Sequence, residues 1–277
     1  MLKSANTVYI KKLVHDHTGV LIPKGKEMLI SSRLSGLVSK SAYSSVDELL
    51  EQLRAGAARD LLTQVLNALM TNETRFFREP YMFDLLKDIL LPRRVEANGG
   101  GQANLNIWSG ACSSGQEVYS IAITLAKSER GGDFLRGTGH KLFASDVSES
   151  VLNKAKQGSY NDFECGRGLN ATDWLEYFTP SVSNEWTVNS NIKRQISFKS
   201  INLIKSLPHL PQMDIIFLRN VLIYFDDQHK TEVLQKIKNQ LKPGGFLVVG
   251  TGESPDHYVS SFNPVKQGRC IFYQRNS

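Results

Sequence analysis

The sequence predicts an α/β protein in which an all-helical N-terminal domain is followed by a doubly wound parallel sheet. In roughly the first ninety residues, apolar side chains recur at spacings of three and four, as they do on one face of a helix. From Leu105 onward, short apolar runs alternate with amphipathic helical stretches, which is typical of strands joined by crossover helices. A chain of 277 residues can bury cores of this kind without disulfides or metal ions.

Composition excludes several other classes of protein. With 41% hydrophobic and 22% charged residues, the chain is neither fibrous nor disordered. No apolar run approaches the roughly 20 residues that cross a bilayer, and no secretory signal is visible, so we expect no membrane insertion. The three cysteines, Cys112, Cys165 and Cys270, are far apart and odd in number, which argues against disulfides and zinc and favours a cytoplasmic location.

The helical domain is predicted to span residues 1–94. Ser45 and Glu48 stand three positions apart at the start of one helical segment, as in a capping box. A glycine run without apolar residues then predicts an exposed linker at residues 95–104. The segments with helical periodicity read DELLEQLRAG, ARDLLTQVLNALMTN and PYMFDLLKDILL.

The sheet domain is predicted to span residues 105–277. Its regular alternation breaks at residues 161–194, which is too long a stretch for an ordinary connection between a strand and a helix. We therefore expect an inserted segment there, with short β elements around EWTV and QISF. The runs predicted to form strands of the sheet read LNIW, KLFASD, DIIFLRN, GFLVVG and GRCIFYQR.

Ligands of doubly wound sheets bind at the carboxyl ends of the strands, so the residues after each strand are candidates for a site. After the first strand, Gly110 and Gly115 lie in a loop that leads to Glu117 at the start of a helix. Two glycines do not form the G-x-G-x-x-G motif, and a carboxylate at that helix start disfavours a pyrophosphate. The loop therefore favours a cationic or amine-bearing ligand, with a plain tight connection as the alternative.

Two further positions sharpen this prediction. Asp146 follows the second strand, where a carboxylate can accept from both hydroxyls of a ribose; the alternative is a helix N-cap, a role that Ser148 fills equally well. Asn220 stands at the end of the run DIIFLRN and offers a donor and an acceptor, or an ordinary Asx cap. Together these positions fit S-adenosylmethionine better than a nicotinamide. The sequence R-N-V-L, where amino-directed nucleic-acid methylases carry N/D-P-P-Y/F, argues against a nucleic-acid substrate.

Five motifs stand in order along the chain: T-N-E-T-R-F-F-R-E at 71–79, W-S-G-A-C-S-S-G-Q-E-V-Y-S-I-A at 108–122, S-D-V-S-E-S-V-L-N-K-A at 145–155, I-N-L at 201–203 and L-R-N-V-L-I-Y-F-D at 218–226. In this order they resemble the CheR-type methyltransferases of bacterial chemotaxis, which methylate receptor glutamates. The resemblance runs from about Val8 to Tyr273 and implies a Rossmann-like, S-adenosylmethionine-dependent methyltransferase domain with a small inserted β subdomain after the helical domain.

The resemblance also implies roles for individual residues. Glu117 is expected to meet the amino group of the methionine part of the cofactor, or another cationic part of it, and Asp146 is expected to meet the ribose. Arg78 and Tyr224 are expected near the transferred methyl group, although Tyr224 can equally be a core residue at a strand end. The residues implied to bind the cofactor are Asn72, Thr74, Arg78, Glu117, Asp146, Asn202, Leu203, Arg219 and Asn220.

The implied reaction converts a glutamate carboxylate to a methyl ester and leaves S-adenosylhomocysteine. Since glutamate titrates near 4.3, the acceptor is already ionised at neutral pH and needs no general base. We predict no metal, because the histidines are scattered and His15 and His17, two apart on a helix, point to different faces.

The expected partner is the cytoplasmic helical domain of a chemotaxis receptor, bound by a monomer. Of the formal net charge of +6, most lies in the first 95 residues, which hold 14 Lys and Arg against 10 Asp and Glu. Such a basic module can dock on an acidic helical surface. The alternatives are a methyltransferase for another carboxylate acceptor and a non-catalytic adaptor that binds receptors.

Overall fold

The computed structural model describes residues 2–56, 59–100, 103–130, 139–181 and 184–276. Contacts divide the chain into two compact units. The first comprises the residues up to Thr71 together with Tyr224–His229, and the second comprises the remainder. No helix among the described residues is long and apolar enough to cross a membrane.

The first unit is built from four helices around one apolar core. These are α1 (Ser4–Thr18), α2 (Glu27–Val38), α3 (Val46–Arg54) and α4 (Arg59–Leu69). Leucine and β-branched side chains at helical spacing fill the core, as the periodicity predicts. The buried members are Ile10, Val14, Ile30, Leu34, Leu49, Leu50, Leu53, Val65 and Leu69.

The predicted capping box at α3 is half formed. The side chain of Ser45 accepts from the backbone N–H of Glu48, as expected. The carboxylate of Glu48 accepts instead from the backbone N–H of Ser44, at 2.7 Å. Both hydrogen bonds of a capping box are therefore present at the N-terminus of α3, but Ser45 takes part in one and Ser44 in the other.

The segment that leads into the sheet packs with the second unit. It consists of α5 (Tyr81–Leu85), one π-helical turn (Leu86–Leu90) and α6 (Leu91–Ala97). The predicted domain boundary at residue 94 differs from the division by contacts at Thr71, because the apolar faces of these helices join the core that covers the sheet. Amphipathic periodicity indicates a buried face but not the core that buries it.

The second unit contains a seven-stranded sheet with the order β6-β2-β1-β7-β8-β10-β9. In this order, the five strands from β6 to β8 are parallel to one another. Strand β10 pairs antiparallel with both of its neighbours, β8 and β9. This arrangement confirms the predicted doubly wound sheet. The strands are β1 (Asn104–Gly110), β2 (Gly139–Asp146), β3 (Ser159–Tyr160), β4 (Phe178–Pro180), β5 (Trp186–Val188), β6 (Ile196–Ser200), β7 (Met213–Leu218), β8 (Leu241–Val249), β9 (Phe262–Gln267) and β10 (Cys270–Arg275).

A small antiparallel sheet with the order β3-β5-β4 lies within the predicted insertion at residues 161–194, apart from β3 just before it. The segment EWTV forms β5, as expected, whereas QISF forms β6 and pairs with β2 of the large sheet. The helices of this unit and its connections are α7 (Gln116–Arg130), α8 (Glu149–Gln157), α9 (Asp162–Gly166), α10 (Ala171–Tyr177), α11 (Ser190–Lys193) and α12 (Asp227–Gln240).

A buried ion pair fixes α6 to the beginning of β7. Asp214 has no exposed side-chain area and accepts from Arg94 at 2.9 Å and from Asn98 at 2.7 Å. Lys242 and the backbone N–H of Asn106 complete its hydrogen bonds. The start of the predicted linker at 95–104 is thus held on the sheet through Asn98.

Candidate functional site

Four parallel strands end at one edge of the large sheet, and the polar residues singled out from the sequence follow them there. The strand order reverses between β1 and β7, which is where doubly wound sheets open a crevice for a ligand. The final residues of β1, β2, β6 and β7 are Gly110, Asp146, Ser200 and Leu218. This edge is therefore the candidate site.

Asp146 is buried at this edge and holds the neighbouring loops in place. Its two carboxylate oxygens accept from the backbone N–H groups of Ser148, at 3.0 Å, and Ser113, at 2.9 Å. Burial raises the pKa of Asp146, and the backbone hydrogen bonds offset part of that rise. The N-cap of α8 is Ser148, whose side chain accepts from Val151, so Asp146 does not serve as that cap.

Arg219, directly after β7, bridges two carboxylates, one in α7 and one in the segment before α5. Its side chain is 1% exposed and donates to Glu117 at 2.9 Å and to Glu79 at 2.7 Å. Its Nη2 also donates to the backbone carbonyl of Arg78. Two carboxylates around one guanidinium leave this cluster with a net charge of −1.

The Nε of Arg219 has no hydrogen-bond partner among the described residues. A buried donor left in this state costs free energy, so its presence calls for a reason. At the edge where ligands of such sheets bind, the simplest reason is an acceptor that a ligand supplies.

Glu79 lies within the motif at 71–79 but was not among the predicted site residues. Its carboxylate accepts from Arg219 and also from the hydroxyl of Thr251, at 2.8 Å. Burial works to raise the pKa of Glu79, but the bonds from Arg219 and Thr251 outweigh it and hold this pKa below its ordinary value. The sequence signal that could have identified Glu79 is its position as an acid in a motif with two arginines.

The segment from Asn72 to Glu79 is irregular and closely packed. The carbonyl oxygen of Asn72 accepts from the hydroxyl of Ser113, at 3.0 Å. Phe76 is fully buried. A Cβ on Gly168 would lie 1.9 Å from the carbonyl oxygen of Phe76, so only glycine fits at this close approach.

A cavity of about 190 Å³ opens beside this segment. Two of the predicted residues, Thr74 and Arg78, line it, together with Glu73, Arg75 and Arg167. The guanidinium of Arg78 donates to the backbone carbonyl of Glu73, at 3.3 Å. Three arginines at one cavity suit a carboxylate, because guanidinium groups bind carboxylates through paired hydrogen bonds.

Asn220 is held in a left-handed conformation by Glu253. Its backbone N–H donates to the carboxylate of Glu253 at 2.9 Å, and that carboxylate also accepts from Gly250 at 2.7 Å. A Cβ on Gly250 would lie 2.4 Å from Nδ2 of Asn220. Glu253 belongs to the G-T-G-E stretch at 250–253 and was not among the predicted site residues.

Backbone strain is concentrated in the loops of this site. Phe77, Glu79, Ala111, Ser113 and Asn220 have φ values between 45° and 58°. They comprise all but one of the non-glycine residues with positive φ in the described ranges. Strained residues of this kind persist where the surrounding structure fixes them, and they cluster at functional sites.

The remaining predicted residues divide between the two units. Asn202 and Leu203 follow β6, and the backbone N–H of the preceding Ile201 donates to the carbonyl of Asp146, at 3.0 Å. Tyr224 ends a 3₁₀ turn and belongs to the first unit, where its carbonyl accepts from Leu21. The role of Tyr224 stays a prediction.

Both the helical part and the sheet part of the chain match models of one protein family. Residues 8–70 match the family described as CheR methyltransferase, all-alpha domain, and residues 72–271 match CheR methyltransferase, SAM binding domain. Chemotaxis protein methyltransferase Cher2 of Pseudomonas putida is 38% identical over 87% of this chain and 88% of its own length.

Two further relatives extend this similarity. Chemotaxis protein methyltransferase 1 of Pseudomonas aeruginosa is 38% identical over 87% of this chain and 88% of its own length. The chemotaxis protein methyltransferase of Vibrio parahaemolyticus is 36% identical over 95% of this chain and 94% of its own length. Since the family matches extend through the helical segment and the sheet, and the relatives align along most of the sequence, this chain belongs to the CheR methyltransferase family.

Proposed function

We propose that this chain transfers the methyl group of S-adenosylmethionine to glutamate side chains of chemotaxis receptors, producing glutamate methyl esters and S-adenosylhomocysteine. The observation that carries the proposal is the Arg219 cluster, with its net negative charge and its unpartnered Nε, at the strand edge that also holds Asp146. Family membership supports the donor, and the names of the relatives support the pathway.

The donor set of the candidate site fits the groups of this cofactor. The carboxylate of Asp146 suits the ribose hydroxyls, and the carboxylates of Glu117 and Glu79 suit a cationic amino group. The free Nε of Arg219 suits the carboxylate of the methionine part. The further residues that we propose to hold the cofactor are Asn72, Thr74, Asn202, Leu203 and Asn220.

When bound, the cofactor supplies an electrophilic methyl group on a positively charged sulfur. The residues of this chain then have to bind and orient the two reactants and exclude water from them. No general base is needed, since the glutamate acceptor is already ionised at neutral pH. Such positioning supplies on the order of 7–11 kcal/mol in well-aligned reactions. We assign Arg78 to orienting the incoming carboxylate, with Arg75 and Arg167 lining the same cavity.

A thiol intermediate is not needed, and the cysteines do not suit one. Burial raises the pKa of Cys165 to about 12, and it raises the pKa of Cys112 well above its ordinary value. Both thiols stay protonated at neutral pH and are weak nucleophiles in that form. This supports direct transfer from sulfur to carboxylate.

The first unit is the proposed docking surface for the cytoplasmic helical domain of the receptor. We propose that this chain acts there as a monomer, in the cytoplasm. The part of this unit up to Thr71 holds nine Lys and Arg against six Asp and Glu, and this excess supports the assignment. Contacts of this kind are screened by salt, so the rate of receptor methylation is expected to fall with ionic strength.

The test is transfer of a tritiated methyl group to cytoplasmic fragments of chemotaxis receptors. We expect a base-labile label, because carboxyl methyl esters hydrolyse readily, and no label on fragments whose acceptor glutamates are replaced by glutamine. Arg78→Ala should lose most turnover, whereas Arg93→Ala, at an exposed arginine of α6, should keep it. Label that resists base would indicate another acceptor, and cofactor binding without transfer would indicate an adaptor.

A further inference from the structure

A compact cluster of two histidines and one aspartate lies in the first unit, within the described residues and outside the residues assigned to methyl transfer. Nε2 of His15 lies 2.7 Å from Oδ2 of Asp226, and Nδ1 of His229 lies 2.9 Å from Oδ1 of the same carboxylate. Each side chain can offer one ligand atom to a metal ion, and these three atoms all lie within 4.8 Å of one another. The two imidazole rings meet edge to face, with centroids 4.9 Å apart.

Backbone pairing brings these residues together across 211 positions of sequence. Directly after α1, the backbone N–H of Leu21 donates to the carbonyl of Tyr224, at 2.8 Å, and Val20 forms an antiparallel bridge with Phe225. The next residue, Asp226, is thereby held beside His15 in the last turn of α1. The cluster is therefore placed by the fold rather than by the freedom of its side chains.

Asp226 also stands directly before α12 (Asp227–Gln240). Its Oδ1 accepts from the backbone N–H of His229, at 2.8 Å, in the manner of an N-cap. This bond fixes the carboxylate relative to the His229 ring on the same helical turn. Two of the three side chains are thus oriented before any ligand binds.

Two imidazole nitrogens and one carboxylate oxygen form a donor set that suits zinc and neighbouring divalent transition metals. The side chains of His15 and Asp226 are each 30% exposed, and that of His229 is 18% exposed, so an ion can enter and keep a water ligand.

We propose that His15, Asp226 and His229 bind one divalent transition-metal ion, with zinc as the matching class, and that the ion clamps the segment Tyr224–His229 to α1. This segment begins four residues after Asn220. The ion would therefore hold to α1 the residues that follow the candidate methyl-transfer site in the sequence. The site is independent of the reaction and of its acceptor.

The test is calorimetric titration of the full-length chain, without a histidine tag, with Zn²⁺. We expect one ion per chain and an increase in melting temperature that follows its binding. Asp226→Asn is the most informative variant, because asparagine caps a helix as well as aspartate does but lacks the charge of the ligand. We expect this variant, and His15→Gln, to lose at least the roughly 10–100-fold in affinity that loss of an outer partner of a metal ligand costs.

The matched control is His17→Gln. His17 lies two positions further along α1, and its Nδ1 contacts the carbonyl of Leu13, at 2.9 Å. Its replacement should leave Zn²⁺ affinity unchanged. Co²⁺ in place of Zn²⁺ gives a visible spectrum that reports nitrogen and oxygen ligands in the wild type, even if His15→Gln does not fold. Absence of stoichiometric binding, or equal affinities in wild type and Asp226→Asn, would overturn the proposal.

Discussion

Two buried arginines lie near opposite ends of β7 and use their charges differently. Arg94 meets Asp214, the second residue of the strand, whereas Arg219 directly follows Leu218, the last one. Each nitrogen of the Arg94 guanidinium has an acceptor, and Asp214 accepts from four groups. Arg219 bridges two carboxylates and keeps its Nε without a partner.

This difference matches a structural anchor at Arg94 and the proposed binding site at Arg219. A buried ion pair whose hydrogen bonds are all satisfied has nothing left to offer a ligand, so it serves only the fold. A buried cluster with a net charge and an orphan donor can still take a partner from a ligand, as we propose for Arg219. We therefore expect substitutions at the Arg94 end to reduce stability and those at the Arg219 end to reduce ligand affinity.

The largest expected effect is on stability, at the anchor. Asp214→Ala leaves Arg94 buried and unpaired, which should cost about 3–5 kcal/mol of the free energy of unfolding. Denaturant unfolding followed by circular dichroism measures the loss. Asp84→Ala, at an exposed acid of α5, is the control and should change this free energy by less than about 0.5 kcal/mol. Equal losses in the two variants would mean that Arg94 finds another partner.

The next effect is on ligand affinity, at the site. Arg219→Lys keeps the charge but loses the planar fork that spans Glu79 and Glu117. We expect affinity for S-adenosylhomocysteine to fall by about 1.5–3 kcal/mol, the contribution of a hydrogen bond to a charged group. Calorimetric titration measures it, with Arg93→Lys as the matched control. Unchanged affinity together with a large loss of stability would make Arg219 an anchor like Arg94.

The sequence predicted those features that depend on local order along the chain. The alternation of strands and helices, with a carboxylate directly after a strand, was enough to place Asp146 and Glu117 at one edge of a sheet. Parallel strands bring their carboxyl ends together wherever they lie in the sequence. The family motifs added Arg219, which local pattern alone left without a role.

Pairings between distant residues were not predictable from the sequence. Glu79 and Arg219 lie 140 positions apart, and His15 and Asp226 lie 211 apart. Spacing rules test only neighbours on one helix, which is why His15 was compared with His17 and no metal site was expected. The packing of α5 and α6 on the sheet was missed for the same reason, since periodicity does not identify the partner of an apolar face.

The contributions of Asp214 and Asp146 to stability should depend on pH in opposite directions. Burial works to raise the pKa of Asp214, but bonds from Lys242 and its other donors lower it overall, so its contribution to stability is present above the ordinary value of 3.8 and is lost as pH falls through the lowered pKa. Burial raises the pKa of Asp146, so its contribution is present below 3.8 and is lost as pH rises through the raised pKa.

The measurement is melting temperature against pH, from about 3 to about 7, for wild type, Asp214→Ala and Asp146→Ala. The deficit of Asp214→Ala relative to wild type should shrink on acidification. The deficit of Asp146→Ala should shrink instead as pH rises toward neutrality. Parallel curves for the two variants would remove the electrostatic distinction between anchor and site.

The smallest expected effect concerns the outer partner of Glu79. Thr251→Val removes the hydroxyl that donates to Glu79 but keeps the shape of the side chain. Because this hydrogen bond is exposed, we expect a loss of about 0.5–1 kcal/mol in affinity for S-adenosylhomocysteine, well below that of Arg219→Lys. Calorimetry on both variants checks the order. If the two losses are equal, Glu79 is positioned by the Thr251 loop as much as by Arg219, and the site extends to the end of β8.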